Sequence, residues 1–360
     1  MPGTFFNELW LPQDTQGPGV DRSRSAKTNR MRIVALEEHV FLNSFADELD
    51  RVRDRGRTGT FPTGLKRDLL GDVGQSRLDS MDEAGITVQV LSVPGSGAAL
   101  YAQREGGIDY ARRYNDAIAE HVRRHPDRFR AFAHLPLLTP DAAATELERA
   151  VRDLGCCGTM ISGMNDEKFL DDAAFDPVLA AAEALDVPIY IHPALPPADV
   201  RARYYDGFAP PLAHAFATSG WGWHAETAVH VVRLVLSGAL DRHPRLKIIV
   251  GHMGEGLTTM LARFDAWLTP RAPHLSRSVS QTILDQVTIT TSGFFSLPPF
   301  MAALLAFGVD RILFSVDYPF ESNRQARDFL DALPIAPSDL EKIAHGNADR
   351  LLRLTSLERR

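Results

Sequence analysis

The feature that most constrains the fold is a regular alternation of short apolar runs with amphipathic helical patterns, which starts at Met31. Strands that alternate with helices form a parallel sheet with right-handed crossovers. Eight such units predict one α/β domain, a (β/α)8 TIM barrel. The strands are predicted at Ile33–His39, Thr87–Val93, Phe129–Leu135, Cys157–Ser162, Val187–His192, Leu246–His252, Val287–Ser292 and Ile312–Asp317. The clearest helices are predicted at Asp109–Arg124, Asp141–Leu154, Asp172–Leu185, Glu226–Leu240 and Leu297–Phe307.

Three segments fall outside the repeating unit. Residues 1–30 are largely polar and lack periodicity, so we predict a flexible N-terminal extension and assign residues 31–360 to the barrel. Phe41–Ser76 and Pro193–Trp223 are predicted as long loops after strands 1 and 5, on the face where barrels carry their active sites. Pro337–Leu354 predicts C-terminal helices that close the barrel.

Composition excludes several kinds of partner. The 39 basic and 46 acidic residues give a net charge of −7, and no basic stripe is present, so nucleic acid is not expected. No apolar run approaches the roughly 18 residues of a membrane span. The two cysteines, Cys156 and Cys157, are adjacent and are predicted as reduced core residues of a cytoplasmic protein. A small molecule is therefore the expected partner.

Metal-capable side chains stand at the carboxyl ends of four predicted strands. They are Glu37, His39, His192, His252 and Asp317. Each one alone is typical of a buried histidine or a capping carboxylate, but catalytic residues of a barrel gather on this rim. Glu37 and His39 are two residues apart and share a face, whereas Glu38 points away. The set of imidazoles and carboxylates suits Zn²⁺, Mn²⁺ or Fe²⁺.

The other histidines and motifs of the sequence give weaker evidence of function. His214 and His224, in the loop after strand 5, are weaker candidates to approach the rim. The remaining histidines are interpreted as structural or surface residues: His121, His125, His134, His230, His243, His274 and His345. The sequence contains no G-x-S-x-G elbow and no phosphate-binding P-loop.

Several motifs together resemble the amidohydrolase superfamily. They are Glu37-x-His39, Ile191-His192-Pro193, Val250-Gly-His252-Met-Gly-Glu255-Gly256 and Phe314-Ser-Val-Asp317-Tyr-Pro-Phe320. Within the superfamily they are similar to the branch of nonoxidative decarboxylases, which includes the γ-resorcylate, 2,3-dihydroxybenzoate and aminocarboxymuconate-semialdehyde decarboxylases. The resemblance extends from Met31 to about Leu354.

The resemblance implies roles for individual residues. Glu37, His39, His192 and Asp317 match the metal ligands of the family. Asp317, His252 and Glu255 match its proton-transfer groups. Arg263, Phe320 and Trp221 match substrate-binding positions, and Arg263 is expected to reach a neighbouring subunit. Strand 4 ends in Ser162 and carries no lysine or glutamate to bridge two ions, so one Zn²⁺ or Mn²⁺ per subunit is expected.

The resemblance also implies a reaction. We expect a metal-dependent carboxy-lyase, a carbon–carbon lyase that protonates a ring carbon of a hydroxybenzoate-like acid and releases CO₂. The alternative is a metal-dependent hydrolase of an ester, lactone or amide, because the same ligands also suit an attacking hydroxide. A homodimer or homotetramer is expected by analogy with the family.

Overall fold

The computed structural model of the chain describes residues 31–53, 65–95 and 104–354. The predicted extension at residues 1–30 lies outside the described residues, as does part of the segment that follows the first strand. Among the helices of the described residues, none is long and apolar enough to cross a membrane.

All eight predicted strands are present, and most end earlier than predicted. They are β1 Val34–His39, β2 Val88–Ser92, β3 Phe129–Ala131, β4 Thr159–Ser162, β5 Pro188–His192, β6 Lys247–Val250, β7 Val287–Thr290 and β8 Ile312–Leu313. Two of these differences concern candidate site residues, because His252 and Asp317 lie past the last paired residues of β6 and β8. Both side chains therefore project from turns at the rim rather than from the sheet itself.

The strands pair in parallel in the order β1-β2-β3 and β4-β5-β6-β7-β8. The two groups join at one side through a parallel bridge between Ala133 and Thr159. They join at the other side where the His39 N–H donates to the Tyr318 carbonyl at 2.6 Å. The sheet therefore closes into the predicted barrel, with the carboxyl ends of all eight strands on one rim.

The helices surround the strands, as the alternating pattern predicts. They are α1 Asn43–Arg53, α2 Leu65–Gly71, α3 Gln75–Ala84, α4 Arg104–Arg124, α5 Pro140–Arg152, α6 Asp176–Leu185, α7 Ala198–Tyr204, α8 Pro210–Ala217, α9 Gly222–Leu236, α10 Ala239–Arg242, α11 Leu261–Trp267, α12 Val279–Gln286, α13 Leu297–Phe307, α14 Asn323–Asp331, α15 Pro337–Glu341 and α16 Asn347–Leu352. The predicted helix Leu297–Phe307 matches α13 at both ends.

The stretches predicted as long loops after strands 1 and 5 contain helices. Phe41–Ser76 includes α1, α2 and the start of α3, and Pro193–Trp223 includes α7 and α8. The helix α1 forms because Phe45, Ala46 and Leu49 lie on one side of it and are buried. At the other end of the chain α15 and α16 confirm the predicted closing helices, and Leu352 packs with the apolar residues inside the barrel.

A β-bulge in β1 sets which side chains enter the barrel. Val34 and Leu36 belong to the interior cluster, so strict alternation would send Glu37 outward. The register against β2 shifts between Ala35 and Glu38, because one extra residue of β1 is inserted there. The inserted residue moves Glu37 and His39 to the inner face and Glu38 to the outer face, as predicted.

The bulge is held by one buried hydroxyl. The Glu37 N–H donates to Ser315 Oγ at 2.7 Å, and Ser315 has no exposed surface. Because an unpaired buried N–H is costly, this bond supports the backbone at the position where the ligand-bearing strand changes face.

Candidate metal centre

The four predicted metal ligands converge at one point of the rim. His192 Nε2 lies 3.2 Å from Glu37 Oε1, and His39 Nε2 lies 3.1 Å from Asp317 Oδ1. His39 Nε2 is also 4.0 Å from Glu37 Oε1. Glu37 and His39 are fully buried, and the side chains of His192 and Asp317 are only 12% and 17% exposed. The ends of β1 and β5 and the turn after β8 thus bring two imidazoles and two carboxylates together.

The atoms at this point lack hydrogen-bond partners. Glu37 Oε1, His39 Nε2 and Asp317 Oδ1 are buried and unpaired within the described part of the chain. Buried polar atoms are normally satisfied, so three of them facing one another require a further partner. A divalent cation accepts electron pairs from this mixture of nitrogen and oxygen donors, and the residues therefore fit a metal ion.

Partners on the far sides of the ligands fix their orientation. Glu37 Oε2 accepts hydrogen bonds from the hydroxyls of Tyr190 and Ser292. His192 Nδ1 donates to the Pro193 carbonyl at 2.7 Å, which leaves a lone pair on Nε2 for a metal. The Ser92 hydroxyl lies 3.1 Å from His39 Nδ1. These supporting contacts are the usual second layer of a metal centre.

Gly251 lies beside the Glu37 carboxylate, where a larger residue would not fit. A Cβ at Gly251 would lie 2.8 Å from Glu37 Oε2 and 3.1 Å from the oxygens of Tyr190 and Ser292. Any side chain at this position would therefore displace the groups that hold the Glu37 carboxylate.

His252 and Glu255 form the predicted pair beside the ligands. His252 Nδ1 lies 2.7 Å from Glu255 Oε1, and His252 Nε2 lies 3.9 Å from Asp317 Oδ2. Glu255 lies in a turn rather than on an α-helix. His252 begins a short 3₁₀ turn, and His252, Met253 and Glu255 all have positive φ. Gly254 and Gly256 also have positive φ, and this tight turn lets the two side chains meet.

The charges of the centre depend on one another. Burial alone would raise the pKa of Glu37, but the neighbouring charge of His252 and the hydrogen bond from His192 hold that pKa below its usual range. Burial would lower the pKa of His252, but Glu255 and Glu37 raise it well above the usual value. The two shifts thus share one cause, the close approach of opposite charges at the rim.

A buried polar network lies behind β1, on the outer side of the bulge. Arg77, which is fully buried, donates to the His39 carbonyl at 2.6 Å and to Gln89 Oε1 at 3.1 Å. Glu38 Oε1 accepts the Val316 N–H at 2.9 Å, and burial raises the pKa of Glu38 to about 8. The network connects the backbone beside two ligands, because Val316 directly precedes Asp317.

His224 is a member of the site that the sequence indicated only weakly. Its Nδ1 bonds Glu255 Oε2, and its ring centroid lies 5.0 Å from that of His252. The strand-end rule could not identify it, because it lies in the first turn of α9. His214 lies in α8.

The predicted substrate-binding residues are less closely grouped. The Phe320 ring is 5.6 Å from the His39 ring, so Phe320 stands at the wall of the centre. The Trp221 side chain is 58% exposed at the start of α9. Arg263 is exposed on α11, with its guanidinium 4.7 Å from the centre of the Trp267 ring. Among the described residues, neither Trp221 nor Arg263 has a hydrogen bond, an ion pair or a ring contact with the four proposed ligands.

The other histidines have structural contacts elsewhere. His134 packs against Tyr110 and Tyr114, and burial lowers its pKa to about 4. His230 Nε2 accepts the Leu170 N–H at 3.0 Å. His243 pairs with Asp176 and Glu183, His274 bonds the Leu236 carbonyl, and His345 pairs with Asp349. Cys156 and Cys157 are free thiols in the core, as predicted.

Comparison with known proteins gives consistent matches over most of the chain. The sequence model of the amidohydrolase family matches residues 67–354. The γ-resorcylate decarboxylase of Rhizobium radiobacter is 42% identical over 334 residues, which cover 89% of this chain and 98% of the relative.

Solved structures with the same architecture include two dihydroxybenzoate decarboxylases. A 2,6-dihydroxybenzoate decarboxylase complexed with 2,6-dihydroxybenzoate has a TM-score of 0.80 and 39% identity, covering 90% of this chain and 99% of that one. The dihydroxybenzoic acid decarboxylase of Polaromonas sp. JS666, with bound manganese and the inhibitor 2-nitroresorcinol, has a TM-score of 0.79 and 37% identity, covering 90% and 97%.

Proposed function

This chain belongs to the amidohydrolase family, and we propose that it is a metal-dependent, nonoxidative decarboxylase of a hydroxylated aromatic acid of the dihydroxybenzoate type. It is a carboxy-lyase, as the resemblance implied. The observation that carries the proposal is the convergence of Glu37 Oε1, His39 Nε2 and Asp317 Oδ1, all buried and unpaired among the described residues. This donor set occurs in a chain that is 37–42% identical to decarboxylases over nearly its whole barrel.

We assign the metal ligands as Glu37, His39, His192 and Asp317, holding one Zn²⁺ or Mn²⁺ per subunit. The Polaromonas relative binds manganese. A divalent ion held by these residues would supply a Lewis acid for an aromatic carboxylate that carries an ortho hydroxyl. The sequence of β4 supports a site for one ion rather than two. This strand ends in Ser162 and contains no lysine or glutamate that could bridge a pair of metal ions.

Asp317 is the proposed proton donor. Direct loss of CO₂ from an aryl carboxylate would leave an unstabilised carbanion, so the ring carbon must be protonated first. Asp317 reaches into the site from the turn after β8 with only 17% of its side chain exposed. It delivers its proton to the ring carbon that bears the carboxylate, and the carbon–carbon bond then breaks with its electron pair returned to the ring.

His252 and Glu255 restore the proton to Asp317. The contact of 3.9 Å between His252 Nε2 and Asp317 Oδ2 brings the imidazole close to the donor, and the 2.7 Å bond to Glu255 orients it. Phe320 forms an aromatic wall beside His39, against which a benzoate ring packs. Trp221 is proposed to border the same pocket.

We propose that the active form is a homodimer or homotetramer in which Arg263 serves a neighbouring subunit. Arg263 is exposed and stacks on Trp267, whose side chain is itself 49% exposed. Exposed aromatic and arginine side chains are enriched at protein interfaces. Sedimentation that shows a fully active monomer would reject this role. The two buried free thiols support the cytoplasm as the location.

The activity is tested by incubating the protein with 2,6-dihydroxybenzoate, 2,3-dihydroxybenzoate and unsubstituted benzoate, and measuring CO₂ and the phenolic product. We expect turnover only of acids with a hydroxyl ortho to the carboxylate. Removal of metal by a chelator should abolish turnover, and one equivalent of Mn²⁺ or Zn²⁺ per chain should restore it. Hydrolysis of esters or lactones without decarboxylation of any hydroxybenzoate would overturn the proposal, and full activity of metal-free protein would refute the ligand set.

A further inference from the structure

Lys66 connects the segment after β1 to the turn after β8. Its side chain extends from the first turn of α2, and its Nζ donates to the Phe320 carbonyl at 2.9 Å and also to the Pro319 carbonyl. The same ammonium lies 5.8 Å from the centre of the Phe320 ring. One cation therefore contacts both the backbone and the ring of the residue that stands at the wall of the centre.

Three consecutive carbonyls of the turn after β8 accept hydrogen bonds from donors outside it. The Tyr318 carbonyl accepts the His39 N–H at 2.6 Å, and the next two carbonyls accept Lys66. Asp317, which begins the turn, has a φ of 76°, a left-handed conformation that is costly for a residue other than glycine. Such a conformation persists only where the surrounding contacts hold it, so the donors from β1 and α2 help to fix the shape of the turn.

The helix that carries Lys66 is itself attached to the end of β1. The Phe41 N–H donates to the Leu70 carbonyl of α2 at 2.9 Å, and both residues are buried. Lys66 therefore donates from a fixed base and can hold the turn in one position. Two acids also lie near the ammonium: partial burial lowers the pKa of Lys66, and the negative charges of Glu321 and Asp317 oppose that shift. A charge effect on Asp317 is therefore the alternative role for Lys66.

We propose that Lys66 is a positioning residue that fixes the Phe320 ring against the substrate and so strengthens the binding of an aromatic acid. The proposal rests on the proposed decarboxylase function. The centre of the Phe320 ring lies 5.6 Å from that of the His39 ring, so a benzoate bound at the rim packs against Phe320. The strength of an aromatic contact depends on the relative position of the two rings, because offset-stacked and edge-to-face geometries are preferred. Lys66 acts through Phe320 and takes no part in bond breaking.

The test is a double-mutant cycle between Lys66 and Phe320, with 2,6-dihydroxybenzoate as the substrate. In Lys66→Met we expect KM to rise about tenfold with kcat within about threefold, because the ring contributes to binding rather than to proton transfer. Phe320→Ala should show a similar rise in KM. In the double variant KM should stay within about threefold of that of Phe320→Ala, since a ring that is absent cannot be misplaced. Lys66→Arg keeps a cationic donor and should retain most of the wild-type binding.

Lys247→Met is the matched control. Lys247 also donates to a backbone carbonyl, that of Asp186 at 3.4 Å, but it begins β6 and so lies at the opposite end of the barrel from the rim. Its removal should leave KM unchanged even where urea unfolding shows a comparable loss of stability. An unchanged KM in Lys66→Met would overturn the proposal, as would KM increases that multiply in the double variant. A loss confined to kcat would also overturn it and would indicate a charge effect on Asp317.

Amide hydrogen exchange tests the same contact without any substrate. The Glu321 N–H donates to the Asp317 carbonyl at 3.0 Å, so its exchange rate reports the opening of the turn. We expect this rate to be about tenfold faster in Lys66→Met than in wild-type protein and unchanged in Lys247→Met. If wild-type protein decarboxylates no hydroxybenzoate, the proposed function fails, whereas an unchanged exchange rate at Glu321 in Lys66→Met rejects the role of Lys66 in holding the turn.

Discussion

Arg77 offers the sharpest test of how the fold holds the proposed metal ligands. It lies behind β1 with no exposed surface, and its guanidinium donates to His39 O at 2.6 Å, Asp72 O at 2.8 Å and Gln89 Oε1 at 3.1 Å. The guanidinium carbon also lies 4.7 Å from the centre of the Tyr318 ring. Arg77→Met keeps much of the apolar stem and removes all of these bonds.

The size of the effect follows from the acceptors left behind. Each buried acceptor without a donor costs about 1–3 kcal/mol, which gives about 2–6 kcal/mol for the two buried acceptors, His39 O and Gln89 Oε1. Replacing Arg77 also removes the free-energy cost of burying its charge, the same cost that lowers the pKa of Arg77. We therefore expect the free energy of unfolding to fall by about 3–5 kcal/mol, in the range found when one partner of a buried charged network is removed.

Urea unfolding of the variant measures this loss, and Arg113→Met is the matched control. Arg113 bonds Glu48 and Asp109, but its side chain is 44% exposed, so its removal should cost at most about 1 kcal/mol. Arg77→Met should also bind Mn²⁺ more weakly, because the backbone of His39 loses its anchor. A loss below about 1 kcal/mol together with unchanged metal affinity would refute the reasoning.

Three further predictions address single groups. Asp317→Asn should reduce kcat at least about 100-fold with little change in KM, since the amide cannot protonate the ring, and an active variant that retains its metal would remove Asp317 from the acid role. Ser315→Ala should lower the free energy of unfolding by about 1–3 kcal/mol, measured in urea, because the Glu37 N–H loses its acceptor; an unchanged value would contradict the support assigned to the bulge. Burial raises the pKa of Glu226 to about 7, so this group favours folding at low pH and its contribution is lost as pH rises from 4.5 through about 7. Glu226→Gln should therefore gain stability relative to wild type between pH 5 and pH 8 in urea titrations, and a pH-independent difference would argue against the raised pKa.

The architecture was predictable because it depends on periodicity. Eight apolar runs separated by amphipathic helices leave few alternatives to a closed parallel barrel, and the strand ends then place metal-capable groups on one rim. The alternation of apolar runs and helices predicted that each strand exists, but it predicted the last residue of each strand less well. His252 and Asp317 continue the apolar runs in sequence, but the chain has already turned out of the sheet when it reaches them.

The details that aim the side chains were not predictable from the pattern. The shared face of Glu37 and His39 follows from their spacing, yet which face enters the barrel is decided by the bulge after Ala35. A bulge depends on contacts such as the one from Ser315, which is 278 residues away from Glu37 in sequence. His224 likewise gained its place from the packing of α9 against the turn after β6, a contact with no local sequence signal.

Backbone strain and unpaired polar atoms occur together at this rim, and both point to the same cause. His252, Met253, Glu255 and Asp317 all have positive φ without being glycine, a conformation that costs of order 1 kcal/mol or more for each residue. The unpaired donor atoms of Glu37, His39 and Asp317 add a further cost, because they are buried without partners in the described chain. A divalent ion bound to those atoms would offset the second cost and would help the folded state to tolerate the strained backbone. Because such an ion binds only the folded state, the stabilisation grows with the logarithm of the ion concentration. The proposed metal ion would therefore complete the fold at this rim as well as serve the proposed reaction.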